Sequence, residues 1–251
     1  MGSVHVDVSG AVATITLDWP ENRNALSRAL VAGLHAGLDR ADQDDVRVVV
    51  LTHTPPAFCA GADLKERSSG PPDSTPMVDA MQRIERLPKP VIARVEGAVR
   101  AGGVGLMATC DLIVVGRSVD FAFTEVRLGL APAIISVPIA RRVNPARLAA
   151  SFLTGERFDA ATALEMGLVT HVSDDPATTV DHLLAGILAG APGAVAETKW
   201  ILRHVSEMDP DEAYANMRDL SDSLFESDDG REGMQAFLEK RPPRWQARPG
   251  S

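Results

Sequence analysis

Val46-Arg47-Val48-Val49-Val50-Leu51-Thr52 is a β-branched run with almost no polar alternation. A strand with one wet face would alternate apolar and polar side chains. This run instead fits a strand buried on both faces, as in a parallel sheet covered by helices. Val91-Ile92-Ala93-Arg94-Val95 and Asp111-Leu112-Ile113-Val114-Val115 have the same character. Helical patterns lie before and between these runs. Repeated βα units of this kind predict an α/β fold with right-handed crossovers.

Toward the N-terminus, Val4, Val6 and Val8 alternate, Ser9-Gly10 turns, and Val12, Thr14 and Thr16 resume the alternation, which predicts a hairpin. A helix over 27–40 carries Leu30, Leu34 and Leu38 on one face, with Ser27 as its N-cap. A helix over 77–87 ends before Pro88, and another runs through Leu106-Met107-Ala108. Residues 68–76, rich in Ser, Gly and Pro, read as a mobile surface loop. Phe121 and Phe123 mark a short strand, and Val169–Val172 another. The last third is helical, over about 145–154, 160–166, 177–189, 194–205, 211–226 and 230–239. Residues 1–190 are the expected core and 191–251 a helical region. The tail Arg241-Pro242-Pro243-Arg244-Trp245 reads as irregular, fraying or docking late.

With 25 Lys+Arg against 34 Asp+Glu, the chain carries a formal charge of −9. That argues against nucleic-acid binding, which needs a basic surface, but leaves room for a local anion site. No apolar run reaches membrane-spanning length, and the N-terminus lacks the pattern of a signal peptide. Cys59 and Cys110 are the only cysteines, too few for a disulfide framework, so we expect reduced core thiols and a cytoplasmic protein. The six scattered His show no metal-binding spacing, so no metal is expected.

Three segments could carry chemistry. Phe58-Cys59-Ala60-Gly61-Ala62-Asp63-Leu64-Lys65-Glu66 follows a buried strand and opens a helix, where small residues let a ligand approach free N–H groups. Gly97-Ala98-Val99-Arg100-Ala101-Gly102-Gly103-Val104-Gly105 repeats the arrangement and matches neither a dinucleotide fingerprint nor a Walker A loop. Two such turns aimed at one point would make an oxyanion hole; the competing explanation is close helix packing. In Phe121-Ala122-Phe123-Thr124-Glu125-Val126-Arg127, Glu125 sits among apolar residues. A partly buried carboxyl there could exchange protons near neutral pH, whereas a pair with Arg127 would be structural. Turn and capping roles are expected for Asp111 and Asp120. No Gly-x-Ser-x-Gly elbow is present.

Taken in order, these segments resemble the crotonase superfamily, the enoyl-CoA hydratase/isomerase family. The resemblance runs from Asn24-Ala25-Leu26 through Lys89-Pro90-Val91-Ile92-Ala93, Gly102-Gly103 and Cys110-Asp111. It continues through Glu125 to Leu130, Leu153-Thr154-Gly155-Glu156 and the tail Glu232-Gly233 to Lys240. It implies a spiral of ββα units with C-terminal helices that trimerise, as a homotrimer or a dimer of trimers. It implies that the N–H groups of Ala62 and Gly102 hold a thioester oxygen and that Glu125 is the general acid/base. Arg23, Ala25, Ala60, Asp63, Leu64, Lys65, Gly103 and Pro132 would line the acyl-CoA. Phe237 and Lys240 would reach coenzyme A from a neighbouring subunit. Coenzyme A is then part of the substrate, with no separate cofactor.

One departure stands out. Two-carboxylate hydratases of this family have a second Glu three positions after the oxyanion glycine, where this chain has Gly105. Hydration needs a water activated at C3 and a proton delivered to C2. With a single Glu125 the resemblance implies an enoyl-CoA hydratase-like enzyme first, with an enoyl-CoA isomerase and a catalytically weak acyl-CoA-binding protein as the alternatives. Pro132-Ala133-Ile134-Ile135-Ser136 also lacks the Gly-rich continuation usual after that proline, so the acyl pocket is either closed or reshaped there.

Overall fold

The computed structural model describes residues 3–71 and 73–246; readings that touch Met1, Gly2, Pro72 and residues 247–251 lie outside them. The expected hairpin is present as β1 (Ser3–Ser9) and β2 (Val12–Asp18), which pair antiparallel. Helix α1 (Arg28–Ala41) is capped by the Ser27 hydroxyl, which accepts from the Leu30 N–H, and it buries Leu30, Leu34 and Leu38. Strand β3 (Val48–His53) is buried at every position, as its composition requires.

From β3 onward the chain repeats one unit. β3 leads to a short strand β4 (Ala57–Cys59) and a one-turn helix α2 (Leu64–Arg67). After α3 (Thr75–Arg86), β5 (Val91–Val95) leads to β6 (Ala98–Arg100) and α4 (Gly102–Ala108). Then β7 (Leu112–Gly116) leads to β8 (Asp120–Ala122) and a 3-10 turn over Thr124–Leu128. Helices α5 (Ala133–Ala140) and α6 (Pro145–Thr154), strand β9 (Arg157–Asp159), α7 (Ala160–Glu165) and β10 (His171–Ser173) follow. The last third is α8 (Pro176–Ala189), α9 (Pro192–His204), α10 (Pro210–Glu226) and α11 (Asp228–Glu239).

The longer strands and the three-residue β10 form one sheet, β1-β2-β3-β5-β7-β10, parallel from β2 onward, and four three-residue strands form another, β4-β6-β8-β9. Each unit therefore gives one strand to each sheet before its helix, the expected ββα spiral. β4, β6 and β8 run parallel, and β9 pairs antiparallel with β8.

Several local readings need correction. The two Gly-rich segments are not plain turns: each contains a three-residue strand, too short to show a period of two. Helix α5 was missed because it is apolar nearly all round and contains Pro138. The tail docks: the Trp245 indole N–H donates to the Ala189 carbonyl, and Arg241 and Arg244 pair with Glu232 and Asp229. Cys59 and Cys110 are buried free thiols, each pushed up to about 12 by burial. Among the described residues no single helix is long and apolar enough to cross a membrane.

Candidate functional site

β4 and β6 are parallel neighbours, so the turns that leave them lie side by side. Asn24 orders the first. Its amide accepts from the Trp19 N–H and donates to the Thr54 and Ala57 carbonyls. The Ala60 N–H then donates to the Arg23 carbonyl, and the Leu26 N–H to that of Gly61. Gly61 sits at φ +89, and a Cβ there would stand 3.0 Å from that of Ala101. Ala101 itself is at φ +47, a strained conformation for a residue with a side chain. A Cβ on Gly103 would meet the Cys59 Cβ at 2.6 Å, so this glycine serves the close packing of α4 on β4.

The turns converge on two amides. A Cβ built on Gly102 would lie 3.9 Å from the Ala62 nitrogen, so both backbones face one small space. Gly102 is the first residue of α4, where N–H groups have no intrahelical acceptor. Among the described residues neither the Ala62 nor the Gly102 N–H has an acceptor. Both residues line a cavity of ≈ 960 Å³ bounded by α1, α2, α3 and the segment from Thr124 into α5.

Glu125 lines the same cavity, and its Oε2 is buried without a partner. Burial pushes its carboxyl above the usual carboxylate range. It does not pair with Arg127, whose Nε donates to the Thr154 carbonyl at 2.9 Å. The other acids on the wall are engaged. Asp63 accepts from the Asn22 amide and from the Lys65 and Glu66 N–H groups. Glu66 accepts from the Arg28 N–H, and Asp73 from the Thr75 N–H. Of these carboxyls, Glu125 alone has an unpartnered buried oxygen.

Position 105 faces an apolar wall. A Cβ on Gly105 would stand 2.7 Å from the Ile135 Cβ and 2.9 Å from the Met81 Cε. The segment Pro132–Ser136 thus enters α5 and closes the place where a second carboxylate would stand. Ile135 lies in the Pro132–Ser136 segment whose departure from the Gly-rich pattern pointed to a closed or reshaped pocket; Met81 carried no sequence signal beyond ordinary core apolarity.

Ala60, Ala62, Asp63, Leu64, Gly102, Glu125 and Pro132 line the cavity. Arg23, Ala25, Lys65 and Gly103 do not. Arg23 is exposed at φ +49, while Ala25 and Gly103 are packed beneath the turns. The cations on the wall are instead Arg28 and Arg67, which sequence reasoning missed. Their signal was position: Arg28 follows the Ser27 cap, and Arg67 closes α2. At the start of α2, where a negative ligand was expected, the Lys65 and Glu66 N–H groups are already taken by the Asp63 carboxylate. Phe237 and Lys240 are exposed at the end of α11 and do not line this chain's own cavity. Among the described residues no cluster of three His, Cys, Asp or Glu side chains could hold a metal ion.

A family model described as enoyl-CoA hydratase/isomerase matches residues 7–248. The chain is 36% identical to the enoyl-CoA hydratase EchA19 of Mycobacterium tuberculosis, over 97% of this chain and 96% of that protein. It is 32% identical to the carnitinyl-CoA dehydratase of Salmonella agona, over 98% and 99%. Its fold superposes on the crystal structure of an enoyl-CoA hydratase from Mycobacterium smegmatis with a TM-score of 0.90, at 35% identity over 97% and 99% of the two chains.

Proposed function

The chain belongs to the enoyl-CoA hydratase/isomerase family, and from that premise we propose that it adds water to a 2-enoyl-CoA thioester with Glu125 as its single acid/base. The observation that carries this is the buried, unpartnered Oε2 of Glu125 in the cavity that holds the free Ala62 and Gly102 amides.

The thioester carbonyl would accept from both amides. As water adds at C3, electrons move through the double bond onto that oxygen, giving an enolate. By analogy with other oxyanion holes, each donor is worth about 3–4 kcal/mol in the transition state. The Glu125 carboxylate takes one proton from the water and returns one to C2. A single carboxyl then closes the proton count, and its raised pKa suits it to both giving and taking. In reverse, the same steps eliminate water from a 3-hydroxyacyl-CoA. Arg28 and Arg67, the cations of the cavity wall, would meet the phosphates, and coenzyme A enters as part of the substrate, with no separate cofactor invoked.

The Gly105–Ile135 wall favours a second reading. An apolar surface beside the reacting carbons disfavours bound water, so Glu125 would carry a proton between C2 and C4 of an allylic thioester, an isomerisation. The buried, unpartnered Glu125 Oε2 facing the cavity supports turnover over binding alone. Tyr214, Phe225, Phe237 and Leu238 are exposed on α10 and α11, which supports assembly as a homotrimer or dimer of trimers, with Phe237 and Lys240 reaching a neighbour's cavity.

Incubation with 2-enoyl- and 3-enoyl-CoAs, read by mass and chromatography, decides among these. Hydration adds the mass of water; isomerisation moves a chromatographic peak at constant mass. Binding with neither change would overturn both enzymatic readings.

A further inference from the structure

Arg100 is the one charged residue in the run from Gly97 to Gly105, among glycines and small apolar side chains. It ends β6, two residues before the Gly102 amide. Strand β8 ends at Ala122, three residues before Glu125. β6 and β8 pair in parallel, Val99 with Phe121 and Arg100 with Ala122. The oxyanion donor and the acid/base therefore leave the same end of two neighbouring strands. Each strand has only three residues, so few backbone bonds hold their register. Beyond the pairing, the Ala101 N–H donates to the Ala122 carbonyl at 2.9 Å.

Side chains alternate along a strand, so Asp120, two residues before Ala122, projects on the same face as Arg100. The Arg100 Nη1 donates to the Val99 carbonyl at 3.0 Å and to the Asp120 carbonyl at 2.6 Å. Its Nη2 donates to Asp120 Oδ2 at 2.6 Å. The Arg100 side chain is only 16% exposed, so salt and water screen the pair weakly. Asp120, expected to serve a turn, instead anchors this fork. Neither Arg100 nor Asp120 lines the cavity, so any effect they have on the reaction passes through the strands.

We infer that Arg100, held by Asp120, is a positioning residue that fixes the spacing of the Gly102 amide and the Glu125 carboxyl. A planar guanidinium presents its donors in a rigid fork. Bonded to both strands at once, it resists the sliding of β6 past β8 that would part donor from acid/base. This inference rests on the enolate reading of Ala62, Gly102 and Glu125, but not on the choice between hydration and isomerisation.

The test compares wild type with Arg100→Met, Arg100→Lys and Asp120→Asn. Titration calorimetry with saturated, unreactive butanoyl-CoA gives Kd and counts intact sites. Turnover of 2-butenoyl- and 3-butenoyl-CoA is then expressed as kcat per intact site, below the lowest Tm of the set. Arg100→Met should lower this kcat by roughly 10-fold or more, toward the 100-fold that a misplacement of about 1 Å can cost. Its Kd should stay near the wild-type value, because Arg28, Arg67 and the cavity walls are unchanged. Arg100→Lys keeps the charge without the fork and should recover part of the loss. Asp120→Asn keeps the shape, should show a smaller loss, and carries the test should Arg100→Met melt early. A purely structural brace would lower Tm and the number of sites but leave kcat per site alone, and that result would overturn the inference. A wild type that turns over neither substrate would remove the catalytic reading and this one with it. An active wild type with unchanged variants would remove this one alone.

Discussion

Ile135 occupies the space that any side chain at position 105 would need. A Cβ on Gly105 falls 2.7 Å from the Ile135 Cβ, closer than unbonded carbons approach. A glycine on α4 and a branched residue on α5 are thus one structural fact: a side chain at position 105 needs Ile135 to give way.

Gly105→Glu should therefore fail to supply a second acid. The new side chain must displace Ile135 and Met81, and overpacking of this kind costs about 1–3 kcal/mol before any cost of burying charge. Thermal melting should show a lower Tm and the assay no gain in hydration. Adding Ile135→Ala should recover part of the stability, because the space is then vacated. A single variant as stable as wild type would show that the wall yields, contrary to this account.

Glu125→Gln should abolish turnover, by about 10²–10⁴-fold, while acyl-CoA still binds. The wild-type rate of hydration should rise with pH as the carboxylate forms, with its midpoint above the ordinary 4.5. Stability runs the other way. A carboxyl raised in the folded state binds its proton more tightly there than when unfolded. The stability this confers is complete below the unfolded pKa and is lost as pH rises through the folded one. Glu125→Gln should accordingly melt higher than wild type at neutral pH, with the gap closing toward pH 4. A gap that widens on acidification would contradict the burial of Glu125.

Much of this was legible in the sequence, and for physical reasons. β3 announces itself because burial on both faces forces a continuous apolar run, and α1 because Leu30, Leu34 and Leu38 recur each turn. The positions of Ala62, Gly102 and Glu125 were readable as motifs. Of the second sheet only β8 was, through Phe121; β4, β6 and β9 were not, since three-residue strands have no period to detect. Nor were the Gly105–Ile135–Met81 wall and the rim cations Arg28 and Arg67. Those depend on how α3, α5 and α1 meet across the fold, and no spacing within one segment encodes that. Lys65 was the nearer choice in sequence, yet it is Leu64, Glu66 and Arg67 of the same helix that line the cavity.

Gly102→Ala tests the oxyanion geometry without removing a donor. The added methyl would sit 3.9 Å from the Ala62 nitrogen, in the space a shared oxygen must occupy. Its tightest neighbour is the Leu26 Cδ1 at 3.0 Å, the end of a flexible side chain, so the fold should tolerate it. Misplacing the carbonyl by about 1 Å can cost roughly 100-fold in rate. We expect that loss in kcat/KM with a Tm close to wild type. Undiminished turnover would place the thioester oxygen elsewhere.

Lys199 is one of the residues that tie the C-terminal third to the sheet. It is buried on α9, with Nζ 2.9 Å from Asp111 Oδ2 and donating to the Ile84 and Lys89 carbonyls. Asp111 also accepts from the Val91 N–H and pairs with Arg203, so one carboxylate joins β5, β7 and α9. Burial, with a smaller push from the Arg203 charge, holds the Lys199 amine below its usual value, and the nearby Asp111 carboxylate opposes that pull. Lys199→Met would leave Asp111 with Arg203 as its only charged partner and both carbonyls without their donor. Breaking a buried pair in this way costs about 3–5 kcal/mol, or roughly 10 °C in Tm for a chain of this size. Because the two residues share one network, Lys199→Met with Asp111→Asn should cost less than the sum of the single changes. A double-mutant cycle by thermal or urea denaturation reads this directly, and strict additivity would mean the pair does not couple α9 to the sheet.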